Sequence, residues 1–236
     1  MKLGLVGQNI AYSLSPQIHQ FWMEQLGLLG TYDCITPPQD CVSSVFSQLD
    51  GFNVTIPYKK TFFELVDQRS AWAERCRAVN TVYLSDGFWV GDNTDVLALM
   101  EMIPDSADNI VVLGNGGAAQ AVRAVAEYRQ QNAILISRDM WHKRHDYITD
   151  ADVVINATPV GLWGQGCPVE WLPEKNLLVI DMVYQPRQTP FLTLAQKLSL
   201  PTKDGFEMLQ RQARHSFSRW WNVLPELLPE TWGNQD

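Results

Sequence analysis

Amides, hydroxyls, a lysine and carboxylates recur in this sequence at the ends of apolar runs, the places where an α/β sheet presents side chains to a ligand. Asn53-Val54-Thr55-Ile56-Pro57-Tyr58-Lys59 closes one such run, with Asn53 and Thr55 alternating onto one face of an extended chain. Lys59 is a candidate proton donor there. A lysine is ordinarily a solvated surface charge, and it takes a catalytic role only through a partner. Asn80-Thr81 and Gly91-Asp92-Asn93-Thr94-Asp95 place further amides and carboxylates at run ends, in clusters that equally make turns and caps. Ser13-Leu14-Ser15-Pro16 puts two hydroxyls at the mouth of a helix. With the free N–H groups they could bind a carboxylate, although capping alone accounts for Ser15.

Gly114-Asn115-Gly116-Gly117-Ala118 lies between a strongly apolar run and an alanine-rich one. Glycines in that context allow a tight turn and let backbone N–H groups approach a pyrophosphate. Ala119 stands where the last glycine of GxGxxG would be, which the broader fingerprint accepts, and a purely structural strand-to-helix turn is the alternative. About 20 residues beyond, where dinucleotide-binding domains read the adenosine ribose, comes Ser137-Arg138-Asp139. Arg138, with Lys143 or Arg144, could grip a 2′-phosphate. Asp139 could instead accept hydrogen bonds from an unphosphorylated ribose, and the segment could equally be an exposed charged loop.

The elements that would position these groups alternate between strand and helix, which predicts an α/β protein. In the amino-terminal half we expect strands over 2–6, 31–35 and 51–56, helices over 15–26 and 39–49, and a hairpin over 79–90 turning at Asp86-Gly87. Ser15 is the expected N-cap, Pro16 the N1 residue and Gly27 the stop. The stretch around Ile103-Pro104-Asp105 breaks the pattern. A cleaner series follows, with strands over 109–113, 133–137, 152–156 and 177–182 and a helix over 118–131. The helix over 206–221 finds no place in either series.

Composition narrows the function. Eighteen basic against 26 acidic side chains leave a formal charge of -8, which opposes attraction to nucleic acid and to anionic membranes. The four cysteines are scattered singly and read as reduced cytosolic thiols, and the four histidines show no metal-ligand spacing, so no metal is expected. No apolar run is long enough for a membrane span or a signal-peptide core, which predicts a cytoplasmic protein.

Eight strings in order, SLSP (13–16), NVTIPYK (53–59), AVNT (78–81), GDNTD (91–95), GNGGAA (114–119), NATPVG (156–161), DMVYQPRQTPFL (181–192) and GFEMLQRQA (205–213), resemble the shikimate dehydrogenase family over nearly the whole chain. The resemblance implies two α/β domains: a substrate-binding catalytic domain over 1–101 and a Rossmann-like NADP-binding domain over 102–204, with an active site between them. It also implies a carboxyl-terminal helical segment, 205–236, that returns to the first domain. Ser13 and Ser15 would then hold the substrate carboxylate. Asn53, Thr55, Asn80, Tyr184 and Gln212 would contact substrate, and Lys59 with Asp95 would be the catalytic pair. Gly114, Asn115, Gly116, Gly117 and Ala118 would bind the pyrophosphate and Ser137, Arg138 and Lys143 the ribose phosphate. Thr158 and Met182 would flank the nicotinamide. The implied activity is reversible NADP-dependent reduction of 3-dehydroshikimate to shikimate, by a monomer or homodimer, with NAD left open by Asp139.

Several positions depart from the family's pattern. Tyr12 stands for the usual His, Arg77 for a Gly, Val96 for another Gly, and Ser137-Arg138-Asp139 for Asn-Arg-Thr. A paralogue acting on quinate or another polyol acid is the nearest rival reading. A non-catalytic metabolite sensor is a second, which loss of Lys59 or Asp95 would have favoured.

Overall fold

Leu3, Leu5 and Val6 make Lys2–Val6 an extended, apolar strand, β1, and its backbone pairs in parallel with β2 (Thr31–Ile35) on one side and β3 (Gly51–Val54) on the other. The structure is a computed structural model that describes residues 1–229 and 232. Between β1 and β2 runs α1 (Ser15–Gln25), stopped near Gly27, whose φ of +64° suits glycine. After β3 come α2 (Lys59–Leu65), the two-residue β4 (Gln68–Arg69) and α3 (Ala71–Cys76). The hairpin β5 (Thr81–Ser85) and β6 (Phe88–Asp92) turns at Asp86-Gly87, both at positive φ, the geometry of a type I′ turn. These six strands form one sheet in the order β2-β1-β3-β5-β6-β4, antiparallel only at the β3–β5 and β5–β6 pairs. Its core is built by Val45, Phe52, Val54, Phe62, Val79 and Val82.

After α4 (Thr94–Met102) the chain builds a second, wholly parallel sheet. Its elements are β7 (Asn109–Leu113), α5 (Gly117–Arg129), β8 (Asn132–Ile136), α6 (Arg144–Ile148), β9 (Val153–Asn156), β10 (Leu178–Asp181), α7 (Pro190–Lys197) and β11 (Thr202–Lys203). The strand order is β11-β10-β9-β7-β8. β7 and β9 are buried nearly end to end, because a parallel sheet covered on both faces needs apolar side chains on both. The order reverses at β7, so the crevice beyond the carboxyl ends of β7 and β9 is the topological switch point where such sheets bind ligands.

Contacts divide the chain into two units: Met1–Thr94 with the chain from Gln210 onward, and Asp95–Leu209. The expected break near Ile103-Pro104 ends α4 but does not separate the units. Arg129 donates to the carbonyls of Met100 and Ile103, and Lys203 to that of Met102, so the end of α4 is tied into the second unit. The second crossing lies inside α8 (Gly205–Trp221), the helix that sequence alone left unplaced. Its distal half packs in the first unit: a Cβ on Gly51 would lie 2.5 Å from the Trp220 indole, whose N–H donates to the Val82 carbonyl. Arg219 pairs at 2.9 Å with Asp92, a fully buried carboxylate on β6. No helix among the described residues is long and apolar enough to cross a membrane.

Some local expectations fail for identifiable reasons. Ser15 is not the cap of α1. Leu14 holds the cap position, Ser15 is the first helical residue, and its N–H donates to the Ser13 hydroxyl at 3.2 Å. Residues 39–47 form 3₁₀ turns broken at Cys41 in place of a helix to 49, because Ser44 and Ser47 hydrogen-bond back to carbonyls three residues earlier and compete with α-helical pairing. The strand expected over 51–56 ends at Val54. Helices α2, α3, α4, α6 and α7 were not foreseen. The first two are only 7 and 6 residues long, too short for a periodic apolar signal.

His19 on α1 is fully buried, stacked on Tyr32 (centroids 4.3 Å, planes 9° apart) and close to Trp22, Phe217 and Trp220. Neither ring nitrogen has a hydrogen-bond partner among the described residues. Burial pushes its pKa down from 6.5 to about 3. The folded pKa lies below the unfolded one, so this group's contribution is complete above pH 6.5 and is lost as pH falls towards 3, by up to about 1.4 kcal/mol per pH unit. His19→Phe, which keeps the stack and cannot ionise, should gain stability over the parent as pH falls from 7 to 4.5 in paired thermal melts; a difference that does not vary with pH would refute this.

Candidate active site

The first unit holds a buried cluster of amides and hydroxyls. Asn53, Asn80, Thr81, Thr94 and Ser216 come from β3, the residue before β5, β5 itself, α4 and α8, and each is at most 4% exposed. The Asn53 amide donates to the Asn80 carbonyl (3.1 Å), the Thr81 hydroxyl (3.1 Å) and the Ser216 hydroxyl (2.8 Å), and its oxygen accepts from the Tyr32 hydroxyl (2.8 Å). Asn80 Oδ1 accepts from the Thr94 N–H (2.7 Å) and the Thr81 hydroxyl (2.9 Å), while its amide donates to the Thr94 hydroxyl (3.0 Å). Ser216 donates to the Gln212 carbonyl one turn back, and the Asn80 amide reaches Gln212 Oε1 at 3.5 Å. Asn53, Asn80 and Gln212 are therefore brought together, with Asn53 bonded on both its amide nitrogen and its oxygen inside the protein. Thr81, Thr94, Ser216 and Tyr32 were missed as site-building residues. AVNT and GDNTD could have signalled Thr81 and Thr94; Ser216 on the last helix and Tyr32 on β2 lie in no quoted string.

Ser13 and Ser15 sit together at the start of α1, their hydroxyls 3.2 Å apart, Ser13 half-buried and Ser15 buried. Tyr32 links this pair to the cluster. Burial raises its pKa well above 10, its neighbour Cys34 adds to the rise, and a hydrogen bond with Ser15 opposes it, so it stays a phenol. Lys59 and Thr55 are half-buried near the start of α2, where the Lys59 carbonyl accepts from the Val79 N–H (2.9 Å). Asp95, 7% exposed, follows Thr94 directly, and the Asn80 bond to the Thr94 N–H fixes the backbone from which it projects. Arg77, standing for the family's glycine, is in the left-handed region (φ 50°) at the end of α3. Its guanidinium lies over the Phe63 ring, a cation–π contact that offsets the cost of that backbone.

In the second unit Gly114 follows β7 at φ +118°, a conformation open to glycine, and Gly116 caps α5 without any side-chain hydrogen bond. A Cβ on Gly116 or on Gly117 would meet nothing within 4 Å, and the first turn of this 13-residue helix carries no acid. Exposed N–H donors, open space and a positive helix end fit a pyrophosphate. Asn115, exposed beside them, accepts from the Gln120 amide (2.8 Å), and Ala118 is half-buried in the first turn. At the end of β8, Ser137 donates to Asp139, the largest cause of that carboxyl's lowered pKa. Arg138 and Lys143 are exposed. Arg144 does not join them. Its guanidinium is held by the carbonyls of Pro168 and Trp141 and by Glu170 at 2.6 Å, because α6 turns it away from β8 onto the 168–170 segment. At the ends of β9 and β10, Thr158, Met182 and Tyr184 are half-buried in two loops joined through Asn156 and Asp181.

A family model described as the shikimate dehydrogenase substrate binding domain matches residues 5–82, all within the first unit. A shikimate dehydrogenase (NADP(+)) of Methylocella silvestris is 34% identical, covering 96% of this chain and 92% of its own. The chain belongs to the shikimate dehydrogenase family. A second relative of the same name, from an Exiguobacterium species, is 32% identical over 96% of this chain and 95% of its own. Shikimate 5-dehydrogenase of Thermus thermophilus, crystallised with NADP(H) and shikimate, superposes with a TM-score of 0.86 at 30% identity, covering 96% of this chain and 95% of that one.

The open space at Gly116 separates a fold requirement from a ligand requirement, since its φ of -86° suits any residue. Gly116→Val should change stability by no more than about 1 kcal/mol, the scale of an N-cap replacement, yet weaken NADP binding at least about tenfold. Calorimetric titration beside a denaturant melt decides it: unchanged affinity would show that the turn serves the fold alone.

Proposed function

We propose that this protein interconverts 3-dehydroshikimate and shikimate with NADP as the hydride carrier. The observation that carries the reading is the conjunction, in a chain of this family, of intact Lys59 and Asp95 with an uncapped, glycine-lined start of α5. The first unit would bind substrate and the second would bind NADP, with the carboxyl-terminal helical segment, 205–236, returning to the first.

The bound dinucleotide would supply the hydride, delivered to or taken from a ring carbon. This chain's residues do the rest. The Ser13 and Ser15 hydroxyls would hold the substrate carboxylate with neutral donors, and Thr55, Asn80 and Gln212 would hold ring hydroxyls, aligning the reacting carbon. Lys59 and Asp95 would act as a unit: the ammonium stabilises charge developing on the substrate oxygen, and the pair handles its proton. Asn53 supports this arrangement chiefly by locking Asn80, Thr81 and Ser216 in place. Arg138, with Lys143 beyond it, would take the 2′-phosphate, while Asp139 is turned onto the Ser137 hydroxyl.

Two assays test this by nicotinamide absorbance, with shikimate and quinate each offered with NADP and NAD. The parent should oxidise shikimate with NADP most efficiently, and Lys59→Ala or Asp95→Ala should each lose about 100- to 10,000-fold in rate while melting as the parent does. Arg138→Ala should lose kcat/KM for NADP and keep that for NAD. Preference for quinate would make the protein a paralogue. An NADP preference that survives Arg138→Ala would move the phosphate contact elsewhere.

A further inference from the structure

Asp181 is a fully buried carboxylate at the carboxyl end of β10, and three different segments converge on it. Its Oδ1 accepts from the Asn156 amide (2.9 Å) and the Val183 N–H (3.0 Å); its Oδ2 accepts from the Thr189 hydroxyl (2.6 Å). Asn156 passes the constraint on. Its Oδ1 accepts from the Thr158 N–H (3.1 Å) and hydroxyl (2.7 Å), its amide also donates to the Val160 carbonyl (2.9 Å), and the Thr158 hydroxyl accepts from the Val160 N–H (3.2 Å). Thr189 in turn caps α7, accepting from the Leu192 N–H. One side chain thus sets the loop after β9, the segment after β10 and the start of α7.

Burial pushes the Asp181 pKa up to about 6, against the pull of its three hydrogen bonds. A titratable neighbour is the Cys167 thiol, whose pKa is raised by partial burial and also by the Asp181 charge. A carboxylate is an acceptor only, so it can take all three donors at once where a hydroxyl could not. Placing one here carries a desolvation penalty that a plain loop staple would avoid. The segments it fixes are those that carry Thr158 and Met182-Val183-Tyr184, at the edge of the sheet where a dinucleotide's reactive end would lie.

We propose that Asp181 is a positioning residue for the redox step: through Asn156 and the Val183 amide it holds Thr158 and the Met182–Tyr184 segment in one geometry against the nicotinamide. This rests on the proposed function, so the test includes a readout that needs neither cofactor nor turnover. Amide hydrogen exchange of the ligand-free protein should show Thr158, Val160 and Val183 losing protection together in Asp181→Ala. With saturating NADP, kcat should fall about 100-fold, the cost of a misplacement near 1 Å, while KM for shikimate stays within about twofold. Asp181→Asn should restore both exchange and kcat, because its oxygen can accept from Asn156 and Val183 and its amide can donate to Thr189. If Asp181→Ala does not fold, Asn156→Ala, which cuts the arm to Thr158 alone, should give the same kcat loss with Val183 still protected. Exchange protection lost with kcat unchanged, or kcat and KM for shikimate moving together, would overturn the proposal. A parent that binds NADP, shows the exchange pattern and does not turn over shikimate would sink the functional reading and leave the clamp standing.

Discussion

The Thr94 N–H bonded to Asn80 Oδ1 is the contact on which much of the first unit's site depends. Asn80 precedes β5 and Thr94 is the last residue of the first unit's main stretch, so this one bond ties the start of the hairpin to the point where the chain leaves that unit. The surrounding groups leave it little freedom. Asn53, Thr81 and Ser216 saturate one another at 2.7 to 3.1 Å in a region closed to water, where each unmade bond would cost about 1 to 3 kcal/mol. Such a network is stiff because no single member can move without stranding a partner. Stiffness is what alignment of a substrate ring requires.

The second unit would meet the opposite requirement, since the end that would face a dinucleotide has to stay open. Nothing occupies the space beside Gly116 and Gly117, and no side chain caps α5, so the helix end keeps its donors for a ligand. Order is imposed from behind, by Asn156 and Asp181 in the interior of the loops. Local backbone freedom at the glycines and rigidity one layer back are complementary parts of one binding surface.

Two of the buried titratable groups, His19 and Asp181, pull stability in opposite directions with pH. His19 is held neutral in the first unit and weakens it as acid protonates the unfolded chain. Asp181, with a folded pKa above its unfolded value, contributes most at low pH, and that contribution is lost as pH rises through about 6. Acid therefore acts against the unit that would hold substrate and, through this carboxyl, in favour of the unit that would hold the cofactor.

The sequence by itself determined the α/β class, the alternation of strands, the Asp86-Gly87 hairpin and the glycine turn before α5. Each is written in local signals: apolar runs, a turn needing positive φ, and alanines following glycines. It also carried the family's motifs, and with them Lys59, Asp95, Ser13 and Ser15. Tertiary structure decided what those signals could not reach. Arg144 was claimed by Glu170, 26 residues away in sequence, and so does not join Arg138 and Lys143. Tyr32 and Ser216 had no motif of their own and became site-building residues only when β2 and α8 each met Asn53 on β3. Asp181 read as one more residue of a family string. It became the junction of three segments because burial and chain crossing, which no local pattern encodes, brought Asn156, Val183 and Thr189 to one carboxylate.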